Sequence, residues 1–216
     1  MCLICDSCGS TFTEKERIWQ CPCGGYLSFA EDRTGIFDKV RIASGPENMW
    51  RYSEMLPLQK GSHPVSMGEG LTPLVKTEWD GREVWFKLDF LCPTGSYKDR
   101  GISFQVSKLK ELGIERVVED SSGNAGSSMA AYCARAGITC DIYVPSYTSP
   151  GKCLQIEMYG SLLHKVPGTR EDTTRAAMEA SRELYYASHN WSPYFIHGVK
   201  TFAFEIWEQL GWEAPD

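Results

Sequence analysis

The sequence predicts an α/β protein: a parallel sheet covered by helices, with a small cysteine-rich module ahead of it. From residue 83 onward, short runs with the two-residue apolar alternation of strands give way repeatedly to the three- and four-residue spacing of helices. Strands that alternate with helices build a parallel sheet with helices on both faces. Five of the nine cysteines fall within the first 23 residues, ahead of a polar, turn-rich stretch. That clustering sets the amino-terminal module apart.

A chain of 216 residues can bury roughly 70% of its unfolded surface, so its core needs no covalent staples. No apolar run approaches the roughly 18 residues of a membrane span. The net charge of −6, without clustered Lys and Arg, argues against a general nucleic-acid binder. The opening MCLICDSCGS lacks the positive start and apolar middle of a secretory signal, which points to the cytoplasm. In that reducing compartment the cysteines are expected as thiols or metal ligands.

The first element is a pair of knuckles. Cys5 and Cys8 precede Gly9, and Cys21 and Cys23 precede Gly24 and Gly25. Two such turns supply the four thiolates of a closed, tetrahedral structural zinc site of zinc-ribbon type. The second pair has one intervening residue instead of two, and Cys2 is a surplus ligand. Unliganded thiols, or the start of an iron–sulfur run through Cys2, Cys5 and Cys8, remain the alternatives. Residues 30–80, with SGPEN, QKGSHP and GEGLTP, read as connection.

A strand follows, with Val84, Phe86 and Leu88 alternating and Cys92-Pro93-Thr94-Gly95 ending it. Ile102, Val106, Leu109 and Leu112 mark a helix that stops at Gly113. Next come a strand at 116–119, a helix at 125–136, a strand at 140–144, a helix at 150–159 and a strand at 162–166. Thr169 with Asp172 opens a helix carrying Ala177, Ala180 and Leu184, and a short strand follows at 185–188. The last helix carries Val199, Phe202, Ala203, Ile206 and Leu210 on one stripe and stops at Gly211. No strand follows it, so the sequence is expected to be a piece of a longer polypeptide.

Two constellations carry chemistry. Four residues before Ile102 stands Lys98, on the helical stripe of Ile102, Val106 and Leu109. An amine in an apolar wall has a lowered pKa and attacks carbonyls, forming a Schiff base. The bland alternative is a first-turn lysine that snorkels to water. Asp99 suits the positive helix start, and Arg100 would pair with an acid. The second is Ser121-Ser122-Gly123-Asn124-Ala125-Gly126, between a strand and a helix rich in small residues. Backbone N–H groups at such a start bind a carboxylate or phosphate, unless Ser and Asn merely cap the helix. Both junctions lie on the sheet edge where open α/β folds bind small molecules.

Taken together, FKLDFLCPTGSYKDRG at 86–101, GEGLTPL at 68–74 and SSGNAG at 121–126 resemble the threonine synthase group of fold-type-II pyridoxal-phosphate enzymes. The amino-terminal knuckles are similar to those many members carry. The resemblance implies that Lys98 is the covalent tether of pyridoxal 5′-phosphate, that Tyr97 borders the cofactor, and that Asn124 bonds its ring hydroxyl. Ser121, Ser122, Gly123, Asn124 and Ala125 would take the substrate carboxylate. Gly95 and Ser96 would let the backbone approach the flat cofactor.

The implied organisation is a zinc-ribbon-like module at 1–30 and the amino-terminal part of a large cofactor domain at 31–102. A small mobile α/β domain at 103–195 and a helix returning to the large domain at 196–216 complete it. The implied reaction expels phosphate from O-phosphohomoserine and adds water, a carbon–oxygen lyase acting on a small, phosphorylated amino acid. Members commonly dimerise, with neither nucleic acid nor membrane as partner. Here Cys92 stands where the family often has Asn, Tyr97 where it often has Phe, and SSGNAG where STGNT is usual. Relatives that replace a β substituent, as a cysteate synthase does, or dehydrate threonine and serine share SSGN. A cofactor-free scaffold carrying a zinc ribbon is the rival of another class. Members continue for over a hundred residues that hold the cofactor's phosphate and ring nitrogen, so this chain alone is expected to bind the cofactor weakly.

Overall fold

A computed structural model describes residues 2–30, 37–59 and 61–215. The knuckle region forms a three-stranded antiparallel sheet of β1 (Cys2–Cys5), β2 (Thr11–Thr13) and β3 (Leu27–Phe29), in the order β2-β1-β3. Leu3, Cys5, Cys21 and Leu27 are its whole buried apolar cluster. So small a core cannot hold a unit of this size unaided. Its cohesion must come from elsewhere: from the clustered cysteines and from packing on the rest of the chain, where Trp19 meets Tyr186, Tyr26 stacks on Trp191 and Phe29 meets Tyr194.

The stretch expected as connection contains buried structure. Helix α1 (Lys39–Ala43) is capped by Asp38, whose carboxylate accepts the Val40 and Arg41 N–H groups. A 3₁₀ segment at Met49–Met55 buries Met49, Trp50 and Tyr52. Strand β4 (Leu74–Trp79) pairs antiparallel with β5 (Arg82–Lys87). The strand expected near 84–88 is therefore half of a hairpin, outside the parallel sheet. Asp80 (φ 51°) and Gly81 (φ 70°) make its turn, and Asp-Gly is a strong hairpin signal that the alternation beginning at Glu83 obscures.

Helix α2 (Lys98–Glu111) runs through the middle of the molecule. The expected stripe of Ile102, Val106 and Leu109 is fully buried, yet every residue from Asp99 to Leu109 is buried too. An apolar stripe identifies the core-facing side of a surface helix; it misses a helix enclosed all round. Gln105 donates to the Ala187 carbonyl at 2.7 Å, and Ser107 accepts from the Val65 N–H at 2.8 Å, while the Gln105 amide oxygen is buried without a partner.

The parallel sheet is as expected. Strands β6 (Arg116–Glu119), β7 (Thr139–Pro145), β8 (Leu162–Val166) and β9 (Tyr185–Tyr186) run in the order β8-β7-β6-β9, every pair parallel. The connecting helices are α3 (Asn124–Ala136), α4 (Pro150–Met158) and α5 (Arg170–Ala180). Val117, Cys140, Ile142 and Val144 pack against α2, α3 and α4, while Val118 and Tyr186 on the other face pack with Ala177 of α5. Alternation along each strand thus feeds two cores. The capping box at α5 forms as read: Thr169 accepts the Asp172 N–H, and the Asp172 carboxylate accepts the Thr169 N–H at 2.7 Å.

Helix α6 (Pro193–Gln209) crosses α2 at two glycines. A Cβ on Gly101 would lie 2.3 Å from the Phe195 ring, and one on Gly198 would lie 2.3 Å from the Arg100 carbonyl oxygen. The apolar stripe read from the sequence is only half-buried, with Ala203 exposed. What α6 buries near its middle is polar: Thr201 and Glu205, both fully buried. Among the described residues no helix is long and apolar enough to cross a membrane.

Candidate active site

Lys98 opens α2, directly after a turn in which Gly95 takes φ 81°. The side chain is half-buried, rather than sealed in an apolar wall as the stripe had suggested. Its Nζ lies 4.9 Å from the centroid of the Tyr97 ring and 5.0 Å from that of Phe195. Tyr97 is exposed and Phe195 is buried, so the amine rests between a movable ring and a fixed one. No ion pair to Lys98 is present among the described residues. Ring faces leave the amine without the tight ion pair that would tether it to a carboxylate.

The neighbouring residues are the buried ones. Asp99 is fully buried and accepts from the Thr94 N–H (2.7 Å), the Thr94 hydroxyl (2.5 Å) and the Ser128 hydroxyl (2.6 Å). Burial pushes its carboxyl up, against those three bonds. Its reach to Ser128 ties the PTGS turn to the first turns of α3, and with it Lys98 to the 121–126 loop. The sequence reading gave Asp99 only a helix-dipole role, because a bond 29 residues away leaves no local trace.

Helix α3 starts at Asn124 with Gly123 before it and no side-chain cap. The capping alternative is thereby removed, and the first N–H groups of α3 remain available to an anion. Ser121 turns inward instead, its hydroxyl accepting the Gly123 N–H at 3.3 Å. Ser121, Ser122 and Gly123 are half-buried, Asn124 exposed and Ala125 buried. Asn124 Oδ1 accepts from Lys152 Nζ of α4 at 2.7 Å, a contact the sequence gave no sign of. It adds a positive charge beside the loop and leaves the Asn124 amide free to donate.

Gly126 makes the loop possible. A Cβ there would lie 2.0 Å from the Ser121 carbonyl oxygen, a distance that only backbone movement relieves. Gly126→Ala is expected to cost about 1–3 kcal/mol and to displace Ser121 and Ser122. A lowered urea midpoint, together with amide shifts concentrated at 121–126, is the check.

The GEGLTPL segment supplies a hub that sequence reasoning took only as a motif. Glu69 is fully buried and accepts from Trp50 Nε1 (2.9 Å), the Met67 N–H (2.9 Å), the Ser103 hydroxyl (2.5 Å) and the Tyr132 hydroxyl (2.7 Å). It joins the 3₁₀ segment, α2 and α3. Arg100, expected to pair with an acid, pairs with two: Asp89 (2.8 Å) and Glu205 (2.7 Å).

In the amino-terminal sheet the sulfurs of Cys5, Cys8, Cys21 and Cys23 all lie within 4.8 Å of one another. Cys5 and Cys23 stand 3.5 Å apart, and Cys8 and Cys21 3.7 Å. A tetrahedron with Zn–S bonds of about 2.3 Å has edges of about 3.8 Å, so the set fits a zinc ion. Cys2 is outside the cluster and donates to the Leu3 carbonyl. After the second pair Gly24 takes φ 87° and its N–H donates to the Cys21 carbonyl at 2.8 Å, closing the turn that carries Cys21 and Cys23.

A family model described as pyridoxal-phosphate dependent enzyme matches residues 65–216. The chain is 37% identical, over 98% of its length, to a threonine synthase of Methanocaldococcus jannaschii, and covers 55% of that protein. It is 32% identical, over 99% of its length, to a threonine synthase of Methanosarcina acetivorans, again covering 55%. Among solved structures, an aspartate racemase dependent on pyridoxal 5′-phosphate superposes with a TM-score of 0.61 at 28% identity, over 65% of this chain and 46% of the other. An O-ureido-L-serine synthase at 24% identity, with a TM-score of 0.62 over 67% and 50% of the two chains, shares the fold. The chain spans about half the length of the curated relatives it matches.

Proposed function

The chain belongs to the pyridoxal-phosphate-dependent enzyme family, and from that membership we propose that it carries the lysine and the anion-binding loop of a carbon–oxygen lyase of threonine synthase type. The substrate is a small phosphorylated amino acid, O-phosphohomoserine in the first instance, and the products are threonine and phosphate. One observation supports this above the others: Lys98 Nζ, without a carboxylate partner among the described residues, is tied through Asp99 and Ser128 to the uncapped start of α3.

Pyridoxal phosphate fits these residues, since they offer it a primary amine between ring faces and a polar loop nearby. When bound it withdraws electrons from the substrate's α carbon. Lys98 would hold it covalently, with Tyr97 bordering it and Asn124 donating to its ring. Ser121, Ser122, Gly123, Asn124 and Ala125 would take the substrate carboxylate through hydroxyls and α3 N–H groups. Lys98 Nζ would also move protons at the reacting carbons. The 31–102 and 196–216 segments would form the fixed side of the cleft, and 103–195 the mobile side. Release of inorganic phosphate from O-phosphohomoserine is the test. Ammonia and a 2-oxo acid as products would make it a dehydratase instead, and a sulfonate product from phosphoserine and sulfite a β-replacement enzyme.

The amino-terminal sheet, residues 1–30, is a structural zinc module in this reading, suited to a reducing compartment such as the cytoplasm. Four thiolates leave no coordination position open for catalysis. Because apparent zinc affinities of such sites run to about 10–16 kcal/mol, the metal would supply most of the module's stability. Treatment with a strong chelator, or Cys21→Ser, is expected to release zinc and abolish the β1–β3 amide pattern while the 116–186 sheet persists. A metal-free preparation with unchanged amide spectra would refute the zinc assignment.

A further inference from the structure

Glu119, the last residue of β6, is fully buried and faces the ring of His189 just beyond β9, with His189 Nδ1 3.1 Å from Oε1. Its other oxygen, Oε2, is buried without a hydrogen-bond partner. The zinc module, the Glu69 hub and the Arg100 network leave this pair unused. Its surroundings place it at the site. The His189 ring packs edge-on against Phe195 at 5.5 Å, and Phe195 is the fixed ring against which Lys98 Nζ rests. Strands β6 and β9 are parallel neighbours with Val118 opposite Tyr186. The Ala187 N–H donates to the Val118 carbonyl at 2.8 Å, so His189 and the 121–126 loop both follow the same end of these paired strands.

We propose that His189, oriented by Glu119, is the proton-transfer residue for the group that leaves or enters at the substrate's side chain. This rests on the function proposed above. With the Glu119 carboxylate accepting from Nδ1–H, the imidazole presents Nε2 as an acceptor, and Nε2 has no hydrogen-bond partner among the described residues. A proton taken at Nε2 from incoming water gives an imidazolium whose Nδ1–H still faces Glu119. The same proton, given from Nε2 to a departing oxygen, restores the neutral ring. Burial raises the Glu119 pKa and the His189 contact opposes it.

The test reads the imidazole directly, by nitrogen–proton correlation spectra of the histidine-labelled chain. His189 is expected as the Nδ1–H tautomer with Nε2 bare, and Glu119→Ala is expected to move it to the Nε2–H form. A wild-type ring protonated at Nε2 alone, or one unaffected by Glu119→Ala, overturns the proposal. Added pyridoxal phosphate, its binding followed by visible absorbance, should shift the Nε2 resonance of His189; binding without that shift also overturns it. If the cofactor does not bind at all, the function proposed above fails, while the tautomer still decides on the dyad. In protein releasing phosphate from O-phosphohomoserine, His189→Gln should lower kcat about 100-fold with KM within about threefold. His189→Asn provides the second variant, and wild-type turnover in both would refute the assignment.

Discussion

Lys98→Ala is expected to abolish the visible absorbance that develops when saturating pyridoxal phosphate is added to the chain, and with it any phosphate release. The absorbance requires a primary amine joined to the cofactor's aldehyde. Lys98→Arg should fail equally, since a guanidinium keeps the charge and the ring contacts but does not condense. The loss will not reflect unfolding. Lys98 is half-buried and its Nζ meets the ring faces of Tyr97 and Phe195, each contact worth about 0.5–1 kcal/mol at an exposed site. Asp99 and Arg100, which hold the helix start in place, are untouched by the change. Urea midpoints close to wild type with no absorbance would therefore locate the defect in chemistry. An undiminished band in Lys98→Ala would mean that another amine, with Lys152 the first to examine, carries the cofactor.

Sequence periodicity resolved the elements whose pattern is local. The run from β6 to β9 was readable because each strand there alternates between two cores and each helix shows one apolar side. The Thr169–Asp172 box and the stop at Gly113 are equally local, two or three residues deciding each. The candidate site was legible in its groups: Lys98 by its place four residues before Ile102 on the stripe of α2, although that stripe overstated its burial, and the 121–126 loop by its glycines and hydroxyls.

Long-range polar partnerships escaped it. Glu69 bonds Tyr132 63 residues away, and Arg100 bonds Glu205 at a separation of 105. A buried charge in a sequence looks like a surface charge until its partner is known. The same reason inverted α6. Its apolar stripe invited the reading of a core face, yet Glu205 is drawn inward to accept from Arg100, Lys87 and the N–H groups of Leu71 and Thr72. Leu71 itself takes φ 46°, a left-handed conformation costing about 1–2 kcal/mol that the Glu205 carboxylate helps to hold. The segment that reads as connection is shaped by a carboxylate more than 130 residues downstream.

Arg100→Met is the structural counterpart of the Lys98 substitution and carries the largest expected loss of stability. Removing one member of a buried ion network costs about 3–5 kcal/mol, because the partners stay buried without compensation. Typical domains have about 5–15 kcal/mol in all, so the variant should be close to unfolding at neutral pH. Its response to acid separates this cause from simple loss of packing. In the wild type, burial alone would raise Asp89 and Glu205, but the Arg100 bonds overcome it and hold both below their usual 3.8 and 4.5. Carboxyls depressed in this way stabilise the fold above those values, and the contribution is lost as pH falls through the lower folded-state values. In Arg100→Met the burial of Asp89 is opposed only by the Thr72 hydroxyl at 2.6 Å and the charge of Lys87, and its pKa is expected to rise. A carboxyl raised by folding favours the protonated native state, so stability should increase as the variant is acidified from pH 7 towards pH 5. Urea midpoints at the two pH values decide it. Asp99 and Glu119 are raised in both proteins, so the variant should gain more than the wild type across that interval; a variant that changes only in parallel with the wild type would show that Arg100 acts through its packing and not through its charge.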